Sequence, residues 1–292
     1  MQVIDKDTVK RKTSKRLRKN RLLKWMFFLA TLFGIVVLAT LLYRIFTQGV
    51  GYLDWGFITS FASRFPEEAG IKAAIIGSLW LMAVTAPVSL ILGVGTAIYL
   101  EEYAKKNKWT RFIQINISNL AGVPSIVFGL LGLTIFVRIL EMGRSILAGG
   151  LTMSLLILPI IVVAAQEAIR SIPNDQYEAS FAMGATKWQT IRRVVLPAAI
   201  PGILTGGILA LSRAIGETAP LLMIGALTFI AFLPENVWSG FTVMPIQIFN
   251  WTSRPQEEFQ YAAAAGIIVL LILLILMNSI AVFIRNKFTK RY

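Results

Sequence analysis

The chain has 292 residues, of which 56% are apolar and only 15% charged, with a mean hydropathy of +0.68 and a net charge of +14. Soluble domains carry about 25% charged residues, so the composition excludes an ordinary soluble protein and describes an all-α integral membrane protein. With no Cys and no His, disulfides, thiol and imidazole chemistry and the commonest zinc ligands are excluded too, and no catalytic or metal-binding constellation stands out.

Ten of the 29 cations lie within residues 1–24 and run straight into an apolar stretch at about 25–46. At roughly 22 residues this stretch exceeds the ~7–15 of a signal-peptide core, so it reads as a retained first span. Basic residues packed before a span act as a topology signal or a clamp on the anionic lipid bilayer, which argues against nucleic acid as a partner. Five further spans are expected at about 71–100, 112–137, 146–168, 201–232 and 262–284. With the N-terminus in the cytosol, 22 of the 29 cations fall inside and five outside, leaving Arg44 and Arg213 within spans. Both tails, 1–24 and 285–292, are therefore expected to be cytosolic.

The outer segments, about 47–70 and 233–260, carry Trp55, Trp238 and Trp251, residues suited to the membrane interface or to an extracytoplasmic docking surface. In the third span, Pro124, Ser125 and Gly129 are candidates for a pore-lining bend. Gly77, Gly93 and Gly95 read as helix-packing positions. Arg138 and Arg170 stand at span ends, where lipid-head anchoring and contact with a cargo are both open.

Between the fourth and fifth spans lies a polar, basic segment, 173–197. Pro173 ends the preceding helix, Asn174 or Asp175 can cap a new one, and Gly184 permits a bend. Thr186 can start a second helix with Trp188, Ile191, Val194 and Val195 on its apolar side, and Leu196-Pro197 is expected to stop it. In the fifth span, Arg213 and Glu217 are four residues apart, about 18 Å from a helix start at Pro201, and Pro220 invites a kink beside them. An arginine fork suits a tetrahedral oxyanion. A neighbouring carboxylate accepts a hydrogen bond from hydrogen phosphate and repels sulfate. A structural ion pair, a cargo contact and a gate that opens by breaking the pair all stay open.

The spacing Glu178-Ala179-Ser180, three residues, Gly184, nine residues, Val194-Val195-Leu196-Pro197 resembles the EAA motif of ABC importer permeases. Ala121 to Leu130, Leu211 to Leu222 and Met244 to Ile248 are similar to the phosphate importer permeases of the PstA type. The resemblance implies a type I importer fold of six transmembrane helices, with a permease core over 71–284. It implies that Glu178, Ala179, Gly184, Leu196 and Pro197 form coupling helices against a cytosolic ATPase. It further implies a homologous PstC-like permease, two PstB-like ATPase subunits and a PstS-like extracytoplasmic phosphate-binding protein, in the cytoplasmic membrane of a prokaryote. The chain has no G-x-x-x-x-G-K-[ST] loop, so no cofactor is expected here, ATP and magnesium belonging to the partner. A sulfate or molybdate permease, or a gradient-driven transporter or channel, is the alternative.

Overall fold

The computed structural model describes residues 6–226 and 229–288, and side chains over 16–226 and 229–287. The outermost parts of both basic tails, with Lys290 and Arg291, and the side chains of Lys6, Lys10, Arg11, Lys12 and Lys15 lie outside the described residues. Among the described residues the chain is helical, and its one β-type contact is a bridge between Ser145 and Gly240.

The basic tail is helical from Lys6, because Lys and Arg are good helix formers, and it continues into the first span as α1, Lys6–Gly49. Its 44 residues extend roughly 66 Å, about twice the hydrocarbon thickness. There follow α2 (Lys72–Tyr103), α3 (Lys108–Leu120), α4 (Ser125–Ile139), α5 (Ile146–Arg170), α6 (Asn174–Ala182), α7 (Lys187–Ile215), α8 (Ala219–Ile224), α9 (Met244–Thr252) and α10 (Glu258–Phe288). Five of these, α1, α2, α5, α7 and α10, are long and apolar enough to cross a membrane. The pair α3 and α4 makes a sixth crossing if counted together, but it is bent by 104°. The expected straight span at 112–137 is therefore broken. Leu120 ends in a tight turn in which the Gly122 and Val123 amides donate to Asn119 and Leu120, and Pro124, extended at ψ 134°, starts the new helix.

Helix α5 is the centre of the bundle, packed between α2 and α7. Leu81 and Met82 of α2, Met153, Ile157 and Ile161 of α5, and Ala210 and Ala214 of α7 share one buried cluster. Lipid offers no hydrophobic drive between helices, so close approach depends on small residues. A Cβ built on Gly93 would meet the Ile161 side chain at 2.6 Å, and one on Gly150 would meet Val84 at 2.6 Å. Gly77 likewise abuts Thr242, whereas a Cβ on Gly95 would meet nothing within 4 Å in this chain.

A second cluster joins Phe57, Ile71, Trp251 and Phe259. Trp251, expected at the membrane interface, is fully buried, its ring 5.6 Å from that of Phe57. The reason is that α9 folds back against α2 and α10. Trp55 and Trp238 remain exposed. Helix α1 is unburied along its whole apolar window and meets α10 closely at Gly49, where a Cβ would lie 2.7 Å from the Ala264 backbone.

Candidate functional site

Two features carry the chemistry: an exposed turn between α6 and α7, and a helix break between α7 and α8. At the turn, Pro173 enters α6 in an extended conformation with no side-chain cap, and Asn174 is already helical. The expected Asn174 or Asp175 cap is not made. Asp175 instead sits in the first turn, where the helix dipole favours it. Helix α6 ends on a left-handed glycine cap. Gly184 has φ +79°, its amide donates to Phe181 (2.8 Å), and the Ala185 amide donates to Ser180 (3.2 Å). Thr186 then opens α7 with a reciprocal cap, its Oγ1 accepting from the Gln189 amide while Gln189 Oε1 accepts from the Thr186 amide.

The two helices are cross-linked by a 2.9 Å hydrogen bond between Ser180 Oγ and the buried Thr190 Oγ1. Ser180 is the residue that stands in the third position of the E-A-A triplet. Glu178, Ala179 and Gly184 are exposed, while Leu196 and Pro197 are half-buried. Ile191 and Val195 hold the turn to the bundle. Met183 and Trp188, 87% and 59% exposed, leave an apolar surface outward. A groove of about 570 Å³ runs between the pair, lined by Ala179, Ser180, Met183 and Val194 among others.

Leu196-Pro197 does not stop the helix. Pro197 has no N–H for the carbonyl of Arg193, and the turn widens to a π-helix over Ile191–Val195. Helix α7 therefore starts fourteen residues before Pro201, and Arg213 lies ~39 Å from its start rather than 18 Å.

The turn is tied to its neighbours by polar contacts that sequence reasoning missed. Helix α2 ends in a π-turn, Tyr99–Tyr103, with the Ala104 amide donating to Tyr99. Glu101 there accepts from Arg170 Nη2 (2.6 Å) and Nε (2.9 Å) and from Gln166 Nε2 (2.7 Å). Arg170 also pairs with Glu167 at 3.1 Å. Glu102 accepts from the Tyr177 hydroxyl (2.7 Å), and Lys187 donates to the Glu102 carbonyl while resting over the Tyr103 ring. Burial, then the Glu102 hydrogen bond and charge, push the Tyr177 phenol well above its ordinary value of 10.0. The adjacent carboxylates at a helix end were the available signal for this network.

At the break, the last turn of α7 tightens, the Gly216 amide donating to Arg213 (3.1 Å) and the Glu217 amide to Ala214 (3.2 Å). Pro220, in the first turn of α8, cannot extend α7, so the expected span 201–232 is interrupted. Gly225, at φ +85°, ends α8. Arg213 Nε and Glu217 Oε1 are 3.2 Å apart even though Glu217 lies past the helix end, with side chains 51% and 18% exposed. Pro220 packs on α4, where a Cβ on Gly129 would lie 2.7 Å from Pro220 Cα, one turn beyond Pro124 and Ser125. Ser212 Oγ donates to Asn278 Oδ1 (2.5 Å), linking the break to α10. Asn278, a lone amide in an apolar run, was the sequence signal for that contact.

The four cationic and acidic candidates do not converge. Arg138 is exposed at the far end of α4, and Arg170 is engaged at the α5 end beside the α6–α7 turn. Only Arg213 and Glu217 meet.

A helical bundle with an exposed helix pair between two spans and a charged break inside the next is the architecture of an importer's membrane subunit. Residues 89–291 match the family described as binding-protein-dependent transport system inner membrane component, and the chain belongs to that family. Curated relatives include the probable ABC transporter permease protein YqgI of Bacillus subtilis (strain 168), 37% identical over 79% of this chain and 79% of the relative. The phosphate transport system permease protein PstA 1 of Mycobacterium tuberculosis (strain ATCC 25618 / H37Rv) is 32% identical over 96% of this chain and 91% of the relative. Among solved structures, a bacterial alginate ABC transporter in complex with its periplasmic protein matches with a TM-score of 0.63 at 16% identity, over 93% and 97% of the two chains. An inward-facing MetNI methionine ABC transporter matches with a TM-score of 0.61 at 19% identity, over 75% and 97%. These structural likenesses concern the fold. The chain is thus a multi-pass permease subunit of an ABC importer, a transport component whose family works with ATPase and binding-protein partners.

Proposed function

We propose that this permease moves inorganic phosphate by alternating access across the cytoplasmic membrane of a prokaryote, with both termini and the coupling turn in the cytosol. A homologous PstC-like permease supplies the other half of the path. Two PstB-like ATPases hold ATP and magnesium, and a PstS-like protein delivers phosphate from outside. The exposed α6–α7 turn is the observation that carries the drive. Its glycine cap, its reciprocal Thr186–Gln189 cap and its outward Met183 and Trp188 make a rigid knob suited to an ATPase groove. Closure of the ATPases pulls on Glu178, Ala179 and Gly184, and α7, continuous through Pro197, carries the pull to the break.

The phosphate relatives support the cargo, and the Arg213–Glu217 pair supplies fitting chemistry. Arg213 donates to phosphate oxygens while Glu217 accepts from the P–OH group. Pro124, Ser125 and Pro220 shape the passage beside them. The test is uptake of radiolabelled phosphate by vesicles carrying the whole transporter. Uptake should require ATP and resist excess sulfate. Strong competition by sulfate would reassign the cargo to another oxyanion, and uptake without ATP would refute the ATP-driven mechanism.

A further inference from the structure

We propose that the polar cleft where the ends of α2 and α5 meet the start of α3 is a second anion site, one that takes a phosphate-bearing group apart from the translocation path. The cleft holds about 620 Å³ and is lined by Lys106, Lys108, Arg111 and Arg170, with Glu101 as its one lining carboxylate. Arg170 is paired, but among the described residues no carboxylate lies within ion-pair distance of Lys106, Lys108 or Arg111. Four cations thus converge on one space from three elements; Glu101 and Glu167 engage Arg170, and among the described residues the other three cations have no carboxylate within ion-pair distance. The positive end of α3, which begins at Lys108, adds to the same field. A tetrahedral polyanion satisfies several such donors at once, as an arginine fork with flanking ammonium groups requires.

Two sources supply that chemistry: the headgroup of an acidic lipid and free inorganic phosphate. Trp109 and Phe112, exposed on α3 beside the cleft, would seat a lipid's chains. The site also has a route to the drive. Its occupant draws on Arg170, the partner of Glu101, and Glu101 shares its π-turn with Glu102, which holds Tyr177 of the coupling turn. An anion in the cleft competes for Arg170 and changes how firmly α2 grips the turn.

The permease–ATPase complex is to be compared with its Lys106→Gln/Arg111→Gln variant. Both side chains are exposed and outside the ion-pair network, so folding should survive, and Arg111→Lys serves as the charge-preserving control. Phosphatidylglycerol retained on the complex is read by native mass spectrometry, and inorganic phosphate by equilibrium dialysis without the binding protein. Removing two cations should weaken one of these probes about 30-fold, at the ordinary worth of a basic side chain beside an anionic surface, while the control keeps it. Loss in the lipid arm identifies a headgroup, and loss in the dialysis arm identifies free phosphate. A parent complex that holds neither probe, or a variant that holds as much as the parent, overturns the proposal. Neither readout uses transport, so the result is independent of the cargo assigned above.

Discussion

Arg213 and Tyr177 do different work, and each can be tested alone. Arg213 is half-exposed in this subunit, whereas its partner Glu217 is only 18% exposed, so glutamine is the replacement that keeps a hydrogen-bond donor beside that carboxylate while removing the charge. Arg213→Gln is expected to abolish phosphate uptake while the transporter still assembles with its ATPase, as copurification would show. Wild-type uptake by that variant would remove Arg213 from the path. Tyr177 donates to a charged acceptor across two elements, a bond worth about 1–2 kcal/mol when partly buried. Tyr177→Phe should lower the stability of the solubilised complex by about that amount. In the fold the phenol's proton is held beyond the ordinary value of 10.0, whereas an unfolded chain begins to release it there. The stability Tyr177 contributes is therefore complete below pH ~10, declines above it as the unfolded state ionises, and is gone past the raised value. Thermal unfolding of parent and variant should differ through the neutral range and converge only in strong alkali. Convergence at neutral pH would mean that the contact does not hold the turn.

The coupling turn and the helix breaks show what an element's sequence reveals. Gly184 meets nothing within 4 Å, so its φ of +79° is the whole of its requirement. A side chain there costs about 1–2 kcal/mol, and Gly184→Ala should weaken ATPase binding about tenfold without changing helical content by circular dichroism. Unchanged ATPase affinity would show that the turn is not the docking element. Part of this turn was legible in advance because caps are local: the bend at Gly184 and the helix start at Thr186 rest on near neighbours. The expected cap at Asn174 or Asp175 is not made, and the return bond from Gln189 was not foreseen. The break between α3 and α4 was harder to read. Pro124 marked a bend, but the apolar run continues across it, and hydropathy does not report direction. Leu196-Pro197 misled in the opposite sense, because a proline that ends most helices is absorbed here by a wide turn. Trp251 was misplaced because composition cannot tell a wet loop from a helix folded back into the core. The Glu101–Arg170 and Glu102–Tyr177 contacts, 69 and 75 residues apart in sequence, depend on packing that no local pattern encodes.

For the molecule as a whole, the assigned orientation is directly measurable because the chain contains no cysteine. Single replacements at two exposed residues, Met183→Cys on the coupling turn and Trp238→Cys at the opposite end, give reporters without background. A membrane-impermeant maleimide should label Trp238→Cys in intact cells and Met183→Cys only after permeabilisation. The reverse pattern would invert the transporter. Helix α5 is fastened at both ends: Arg170 to Glu101 beside the coupling turn, and Ser145 to Gly240 at the other, where the Ile146 and Leu147 amides also donate to Ser239 and Val237. A helix gripped at both ends links the two regions it joins, with Pro159 removing one internal hydrogen bond midway. In the transporter proposed above, force applied at the α6–α7 turn is passed along α5 towards the loop around Gly240, so the two ends of the bundle move together.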